Sequence, residues 1–137
     1  MSTLNWLAVL VAAAIAFLLG GAWYRPALFG RVWIEAQGLT DEQLKALRRS
    51  APRRYGLIAL MQLLMAYAIA RLLVHWHVAG GVADGILVAL LVWIGFVLTT
   101  GLISALLAGR RLTAFAIDAG YQLVCLLVMG IVLGIWR

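Results

Sequence analysis

The segment LNWLAVLVAAAIAFLLGGAWYRP, residues 4–26, contains no charged residue before Arg25. Its uncharged part matches the ~20 residues that an α-helix needs to cross a hydrocarbon core of ~30 Å. The segment therefore predicts a membrane-spanning helix that ends where Trp23, Tyr24 and Arg25 precede Pro26. Two interpretations of this end are open. The three side chains form a binding site, or the helix leaves the membrane there and the chain turns along the membrane surface.

Three further stretches of the chain are as apolar as the first. Residues 55–70 and 85–109 carry no charge, and residues 112–136 contain one acid, Asp118. Of the 137 residues, 66% are hydrophobic and 12% are charged, whereas soluble domains are about half apolar and about a quarter charged. We therefore predict one all-α membrane domain over residues 1–137, a four-transmembrane-helix bundle. Its spans are predicted at about residues 4–24, 55–76, 85–108 and 112–136.

The first apolar segment does not resemble a secretory signal peptide. It lacks a preceding basic region, its apolar run is too long, and no cleavage site of small residues leads into a soluble domain. We expect it to be retained as a transmembrane helix. Cys125 lies inside the fourth predicted span and is expected to be a small buried apolar residue.

The positions of the basic residues indicate how the chain crosses the membrane. Nine of the eleven Lys and Arg residues lie in two loops, at residues 25–54 and 110–111. Short loops rich in Lys and Arg face the cytoplasm. We therefore predict that both basic loops lie in the cytoplasm and that both termini lie outside it. This placement argues against nucleic acid as a partner, although the formal net charge is +6.

The first loop carries the signals of two short helices. Pro26 suits the first turn of a helix at about residues 26–37, and Gly38 is a natural stop after it. Residues 40–43 form a capping box that predicts the start of a second helix at about residues 41–51. We expect an amphipathic helical hairpin on the cytoplasmic face, whose basic residues contact anionic lipid headgroups.

Aromatic and basic residues near the ends of the spans are candidate contacts with the membrane interface. The aromatic side chains of the first short helix, Phe29 and Trp33, are expected to face the lipid. This pattern favours an anchor and a turn for the opening segment over a binding site. The candidate headgroup and interface contacts are Trp23, Tyr24, Arg25, Trp33, Arg53, Arg54, Arg110 and Arg111.

Small residues recur every four positions in three of the predicted spans. Such stripes let helix backbones approach closely in lipid, although Ala and Gly are common in membrane helices in any case. The stripes favour a compact bundle, and its expected partners are further copies of the chain or the other subunits of a membrane complex. The stripes are Ala8-Ala12-Ala16-Gly20, Gly101-Ala105-Gly109, and Ala116-Gly120 with Gly130-Gly134.

Motifs at both ends of the chain resemble one known family. These motifs are Asn5-Trp6, the Trp-Tyr-x-Pro-x-x-Phe-Gly stretch at residues 23–30 with Trp33, Gly-Tyr-Gln-Leu-Val at 120–124, Met-Gly at 129–130 and Gly-Ile-Trp at 134–136. Together they resemble the bacterial membrane-protein family catalogued as domain of unknown function 1761, over nearly the whole chain. The resemblance implies a short, four-span inner-membrane protein, and it implies no activity, cofactor or catalytic residue.

Polar residues of separate spans fall at one depth of the predicted bundle. At ~1.5 Å per residue, Asp118 lies ~9 Å from the start of the last span. Intramembrane acids often mark ion paths or proton relays, so one interpretation is a transport site around Asp118. The other is interhelical bonding, in which Asp118 accepts from Tyr121, Gln62 or Ser104, or pairs with Arg25, Arg53, Arg54 or Arg110. The candidate polar layer comprises Asp118, Tyr121, Gln122, Gln62, Thr99, Thr100 and Ser104.

The sequence predicts no catalytic residues and no metal site. It has no phosphate-binding loop, zinc-protease motif or nucleophile motif, and His75 and His77 have no nearby third ligand except Asp84. Enzyme activity is not expected, and no cofactor is identified. We favour a structural or accessory membrane subunit or a self-associating bundle. The alternatives are a small homo-oligomeric transporter or channel that uses the layer around Asp118 and a membrane-embedded lipid-modifying enzyme.

Overall fold

The computed structural model describes residues 4–25, 28–75 and 81–136 of the chain. Within these ranges the chain is helical apart from short turns and contains no strand. One helix, α5, contains a π-helical segment at Trp93–Leu98. The helices are α1 (Trp6–Trp23), α2 (Gly30–Gln37), α3 (Asp41–Arg49), α4 (Ala51–His75), α5 (Val82–Ala108) and α6 (Leu112–Ile135).

Four of these helices, α1, α4, α5 and α6, are long and apolar enough to cross a membrane. This confirms the prediction of an all-α chain with four candidate membrane spans. By the length and composition of its helices, the protein is a multi-pass membrane protein.

Two of the long helices begin earlier than the sequence pattern indicated. α4 starts at Ala51 because Pro52 lies in its first turn, where the missing N–H of proline removes no helical hydrogen bond. α5 starts at Val82, and Asp84 lies in its first turn, where the helix dipole favours an acid. Trp76, the predicted end of the second span, lies outside the described residues.

The two short helices between α1 and α4 show the predicted capping signals. Thr40 Oγ1 accepts from the Gln43 N–H at 3.2 Å, and Gln43 Oε1 accepts from the Thr40 N–H at 2.9 Å, which confirms the capping box. Gly38 follows α2 with φ 63°, a left-handed conformation that favours glycine. Pro26, the predicted start of the first short helix, lies outside the described residues, and α2 begins at Gly30.

The buried core lies where α1, α4 and the first part of α5 pack against α6 and one another. Ala8, Ala12 and Ala16 are fully buried, so the predicted small-residue stripe of α1 does form a helix contact. Small side chains let the backbones approach, and such packing is a main source of helix association in lipid. Cys125 is buried in this core as a free thiol, as predicted.

A very close helix crossing joins the start of α5 to the last turns of α6. A Cβ atom on Gly85 would overlap the backbone carbonyl of Gly130, and a Cβ atom on Gly130 would overlap that of Gly85. One turn away, the Gly81 N–H donates to the Gly134 carbonyl at 2.9 Å. The predicted pair Gly130 and Gly134 is thus confirmed as a packing contact. Gly85 was not singled out, because an isolated glycine carries no periodic signal.

α5 packs closely against α6 over its first half and separates from α4 afterwards. Within an apolar stretch of 18 residues in α5, 11% of the residues are buried, against 44% in the corresponding stretch of α6. Among Thr99–Ala108, the part of α5 after the π-helical segment, Ala105 alone is buried. α4 is exposed on every side at residues 55–61. α4 and α5 therefore separate toward the end of the bundle where α1 ends and α6 begins, which we name the basic end.

Gly85→Ala and Gly130→Ala are each expected to lower the free energy of unfolding by about 1–3 kcal/mol, because the added methyl group overlaps a backbone carbonyl. Gly56→Ala is the matched control, since nothing lies within 4 Å of its Cβ position. An alanine at an exposed helical glycine is expected to stabilise by about 0.5–1 kcal/mol. Unfolding in detergent, followed by tryptophan fluorescence, measures all three changes. Equal effects at the three positions would contradict the close crossing.

Candidate functional site

The carboxylate of Asp118, in the second turn of α6, accepts hydrogen bonds from three separate segments of the chain. Its Oδ1 accepts from the Tyr24 hydroxyl at 2.6 Å and from the Trp33 indole N–H at 2.9 Å. Its Oδ2 accepts from the Arg110 guanidinium at 3.1 Å, in an ion pair. We name these four residues the Asp118 cluster. It joins the end of α1, the helix α2 and the turn between α5 and α6.

The turn after α1 brings Tyr24 and Trp33 to the same carboxylate. The Arg25 carbonyl accepts from the Leu28 N–H at 2.9 Å and from the Gly30 N–H at 3.0 Å, which closes the turn. A Cβ atom on Gly30 would overlap the carbonyl of Tyr24, so this close approach requires glycine. α2 begins at Gly30 and packs against α6. Trp33 therefore lies one turn into a helix that faces Asp118.

Three indole groups converge on three consecutive residues of α6. A buried indole N–H usually finds an acceptor, and here backbone carbonyls and the carboxylate supply one to each indole. These bonds attach α1, α2 and α5 to the same turn of α6. They run from Trp23 Nε1 to the Ile117 carbonyl (3.1 Å), from Trp33 Nε1 to Asp118 Oδ1 (2.9 Å) and from Trp93 Nε1 to the Ala119 carbonyl (2.9 Å).

Aromatic rings pack around the Asp118 cluster. The Tyr24 ring meets the rings of Trp33 and Tyr121 edge-on, with centroids 5.5 Å and 5.4 Å apart. The Trp23 ring packs against Phe29 at 4.7 Å between centroids. Such aromatic pairs contribute about 0.5–1.5 kcal/mol beyond their burial. The rings thus hold the donors in place, while the side chain of Asp118 stays 33% exposed.

A second polar cluster lies deeper in the bundle, around Tyr121. The Tyr121 hydroxyl donates to the Ala16 carbonyl at 2.9 Å and accepts from Gln62 Nε2 at 2.8 Å. Gln62 is 4% exposed, and these bonds connect α1, α4 and α6. A Cβ atom on Gly20 would lie 2.6 Å from the Tyr121 hydroxyl oxygen. Gly20 therefore leaves the space that the hydroxyl needs to reach α1.

The charge state of the Asp118 cluster follows from its surroundings. Burial raises the pKa of the Tyr24 phenol above its ordinary value, and the adjacent Asp118 carboxylate raises that pKa further. Tyr24 is therefore a neutral donor at physiological pH. The side chains of Arg110 and Asp118 are 39% and 33% exposed, so their ion pair contributes on the scale of a surface pair, up to about 1 kcal/mol. With its oxygen turned toward them, the Gln37 amide accepts from Arg110 and Trp33 at 3.3 Å each.

The structure brings together part of the predicted polar layer. Gln62 and Tyr121 bond to each other, and Asp118 pairs with Arg110, one of its four proposed arginine partners. Tyr121 was proposed as a donor to Asp118, but its hydroxyl donates to Ala16 instead. The buried amide oxygen of Gln122 has no hydrogen-bond partner among the described residues.

The hydroxyl residues of α5 do not join this layer. Thr99, Thr100 and Ser104 are exposed. The hydroxyl groups of Thr99 and Thr100 donate to the Phe96 carbonyl of their own helix. The depth inferred from the sequence assumed straight, parallel helices. α5 diverges from the bundle after its π-helical segment, so equal depth does not produce contact.

The predicted interface residues divide into three groups. Trp23, Tyr24, Trp33 and Arg110 turn toward α6, and Trp33 does so although its helical pattern predicted a lipid-facing position. The reason is that an indole N–H and a carboxylate both need partners in apolar surroundings. Arg25, Arg53 and Arg111 are exposed and form no ion pair within the described part of the chain. Arg54 donates to the Leu47 carbonyl at 2.6 Å and to Ser50 at 3.1 Å.

Trp93 is a member of the site that the sequence analysis missed. It lies in an uncharged span, and no polar pattern around it distinguishes it from a lipid-facing aromatic. The available signal was its central position in the span, because an indole far from the interface needs a protein acceptor.

Across the ranges 4–25, 28–75 and 81–136, no group of three His, Cys, Asp or Glu could hold a metal. His77 lies outside those ranges.

Comparison with known families gives one finding. A family model described as protein of unknown function (DUF1761) matches residues 7–134. The chain therefore belongs to this family, which confirms the resemblance drawn from its motifs. No curated protein and no solved structure matches the chain.

Tyr24→Phe is expected to lower the free energy of unfolding by about 1.5–3 kcal/mol, because it removes a hydrogen bond to a charged group. Asp118→Ala combined with Tyr24→Phe is expected to show a coupling of about 0.5–3 kcal/mol between the two sites. Denaturant titration in detergent of both single variants and the double variant measures this coupling. Tyr55→Phe is the control, since Tyr55 is 55% exposed. Strict additivity would contradict the bond.

Proposed function

We propose that this DUF1761 protein is a structural or accessory protein of the bacterial inner membrane. It acts as a self-associating bundle or as a subunit of a larger membrane complex. The observation that carries this proposal is the state of Asp118, the one charged residue of α6. Both of its oxygens are occupied by donors of the protein itself.

An ion or proton site needs a carboxylate that can exchange its partners for the transported species. The Asp118 carboxylate instead binds Tyr24, Trp33 and Arg110 together, and any transported cation would have to displace the arginine. Interhelical hydrogen bonds of this kind stabilise membrane bundles. The arrangement supports a role in holding the two turns of the basic end against α6.

The placement of charge supports the proposed orientation. The basic end carries the exposed residues Arg25, Arg53 and Arg111, and short segments rich in Lys and Arg face the cytoplasm. We therefore propose that the basic end, with α2 and α3, lies at the cytoplasmic face. Both termini then lie outside the cytoplasm, and anionic lipid headgroups are the partners of the exposed arginines.

One observation favours transport as the second candidate. The amide oxygens of Gln62 and Gln122 are buried and have no hydrogen-bond partner within the described residues. Unpaired acceptors inside a bundle are costly, and such groups can bind an ion or water in a path through the protein. A homo-oligomeric channel would place such acceptors along its pathway.

Asp118→Asn separates the two candidates. The amide oxygen still accepts from Tyr24 and Trp33, but both bonds lose their charged acceptor and the ion pair is lost. The structural role therefore predicts a folded variant with a stability loss of about 1–3 kcal/mol. It also predicts that proteoliposomes containing the wild type, Asp118→Asn or the control Glu42→Gln release protons and K⁺ no faster than empty liposomes. Wild-type flux that a folded Asp118→Asn variant abolishes would overturn the structural role.

The proposed orientation predicts which positions a membrane-impermeant thiol reagent reaches. In a Cys125→Ser background, Val82→Cys should react in intact spheroplasts, because it lies at the end opposite the basic end. Lys45→Cys, on α3, should react in inverted vesicles and not in spheroplasts. Both positions are exposed in the structure, so each serves as the control for the other. Labelling of Lys45→Cys in intact spheroplasts would reverse the proposed topology.

A further inference from the structure

An open depression lies on the surface of α5 near the basic end. Its volume is about 490 Å³, and Leu107 beside it is 84% exposed. Thr100, Ser104 and Ala108 are four residues apart, so their small side chains leave space on one helical face between larger apolar neighbours. The residues that line the depression are Thr100, Ile103, Ser104, Leu107 and Ala108.

The divergence of the helices leaves this depression open to the side. α4 packs against the first part of α5, Val82–Val92, but makes no comparable interface with Thr99–Ala108. The start of α4 is itself exposed on every side at residues 55–61. Both surfaces are mainly apolar and belong to helices long enough to cross a membrane. An occupant of the depression must therefore be apolar along its length.

An exposed arginine, Arg111, lies beyond the basic end of the depression. Ala108 lies three residues before Arg111, which is exposed and forms no ion pair in the described part of the chain. Arg110 next to it is engaged by Asp118, so that carboxylate does not compete for Arg111. Guanidinium groups bind phosphate oxygens in a bidentate manner. Arg111 does not line the depression but follows it in the turn after Ala108. An apolar depression with an unpaired arginine in the next turn matches an apolar chain that ends in an anionic phosphate.

We propose that this depression binds one acyl chain of an anionic phospholipid, whose phosphate is bound by Arg111. The proposal rests on the proposed function in one respect, because it requires the basic end to face the leaflet that is rich in anionic lipid. The depression is about 12 Å long, since eight steps of ~1.5 Å separate Thr100 from Ala108. It therefore holds part of a chain and leaves the rest in the bilayer.

Native mass spectrometry of the detergent-extracted protein tests this site. The protein is titrated with phosphatidylglycerol and, separately, with phosphatidylcholine of the same acyl chains. We expect a first phosphatidylglycerol to bind with clear preference over phosphatidylcholine. Arg111→Gln should weaken that first binding about fivefold, the effect of one basic residue near an anionic lipid. Ser104→Leu, which fills the depression, should remove the first site while later, weaker adducts persist.

Matched control variants separate a site from general surface charge. Arg31→Gln removes an exposed arginine of α2, and Ala14→Leu enlarges an exposed residue of α1. Neither should change the first phosphatidylglycerol affinity. Equal affinity for the two lipids would overturn the proposal. So would an equal loss in Arg31→Gln and Arg111→Gln, since binding would then follow total charge.

A second copy of the chain is the competing occupant of the depression. If the protein is a dimer that Ser104→Leu dissociates, and Arg111→Gln leaves lipid binding unchanged, the lipid proposal is wrong. The flux and thiol-labelling experiments test the proposed function separately. Flux through Asp118 would overturn the structural role and leave a specific lipid adduct intact, whereas absence of that adduct would leave the Asp118 results unchanged.

Discussion

The need of one carboxylate for hydrogen-bond donors organises the basic end of this protein. An acid near the interior of an apolar bundle is costly unless it is paired and bonded, and Asp118 obtains all of its observed donors from outside its own helix. Tyr24 and Trp33 reach it because the turn closed at Gly30 folds α2 back onto α6. Arg110 reaches it because the α5–α6 turn is short. The positions of both turns therefore depend on the same side chain, which belongs to neither of them.

The two ends of the bundle are held by different forces. At the end where α5 begins, Gly85 and Gly130 remove side chains from the crossing, and the backbones of α5 and α6 touch. Packing of this kind needs no polar group and works in lipid because it maximises close contact. At the basic end α5 has separated from α4, and side-chain hydrogen bonds from α1, α2 and α5 to α6 take the place of backbone packing. The hydrogen bonds around Tyr121 lie between these regions and connect α4 and α1 to α6. Interhelical hydrogen bonds therefore continue from the surface into the core.

Apolar length, charge placement and small-residue spacing were enough to predict four helices, the capping box at Thr40 and the buried stripe of α1. These are local properties of a helix, which periodicity encodes directly. The partners of Asp118 are not local. Trp33 carries an amphipathic pattern that predicts lipid contact, yet the shared need of its N–H and the carboxylate turns it inward. Thr100 lies at the expected depth but on a helix that diverges. One sequence indicates how deep a residue lies along its helix and on which face of the helix it lies. Which other helix that face contacts depends on how the helices cross.

The basic end of the bundle also carries an excess of positive charge. The two predicted loops contain nine basic residues, and the acids beside them are Glu35, Asp41, Glu42 and Asp118, so nine minus four leaves a net charge of +5. Arg110 and Asp118 neutralise each other, which leaves the other cations without this acid as a counter-charge. Like charges held close together destabilise a compact state. A surface of anionic phosphates relieves that repulsion without any further acid in the chain. Under the lipid proposal, one molecule would meet both features, with its phosphate at the exposed cations and its acyl chain on the open flank of α5.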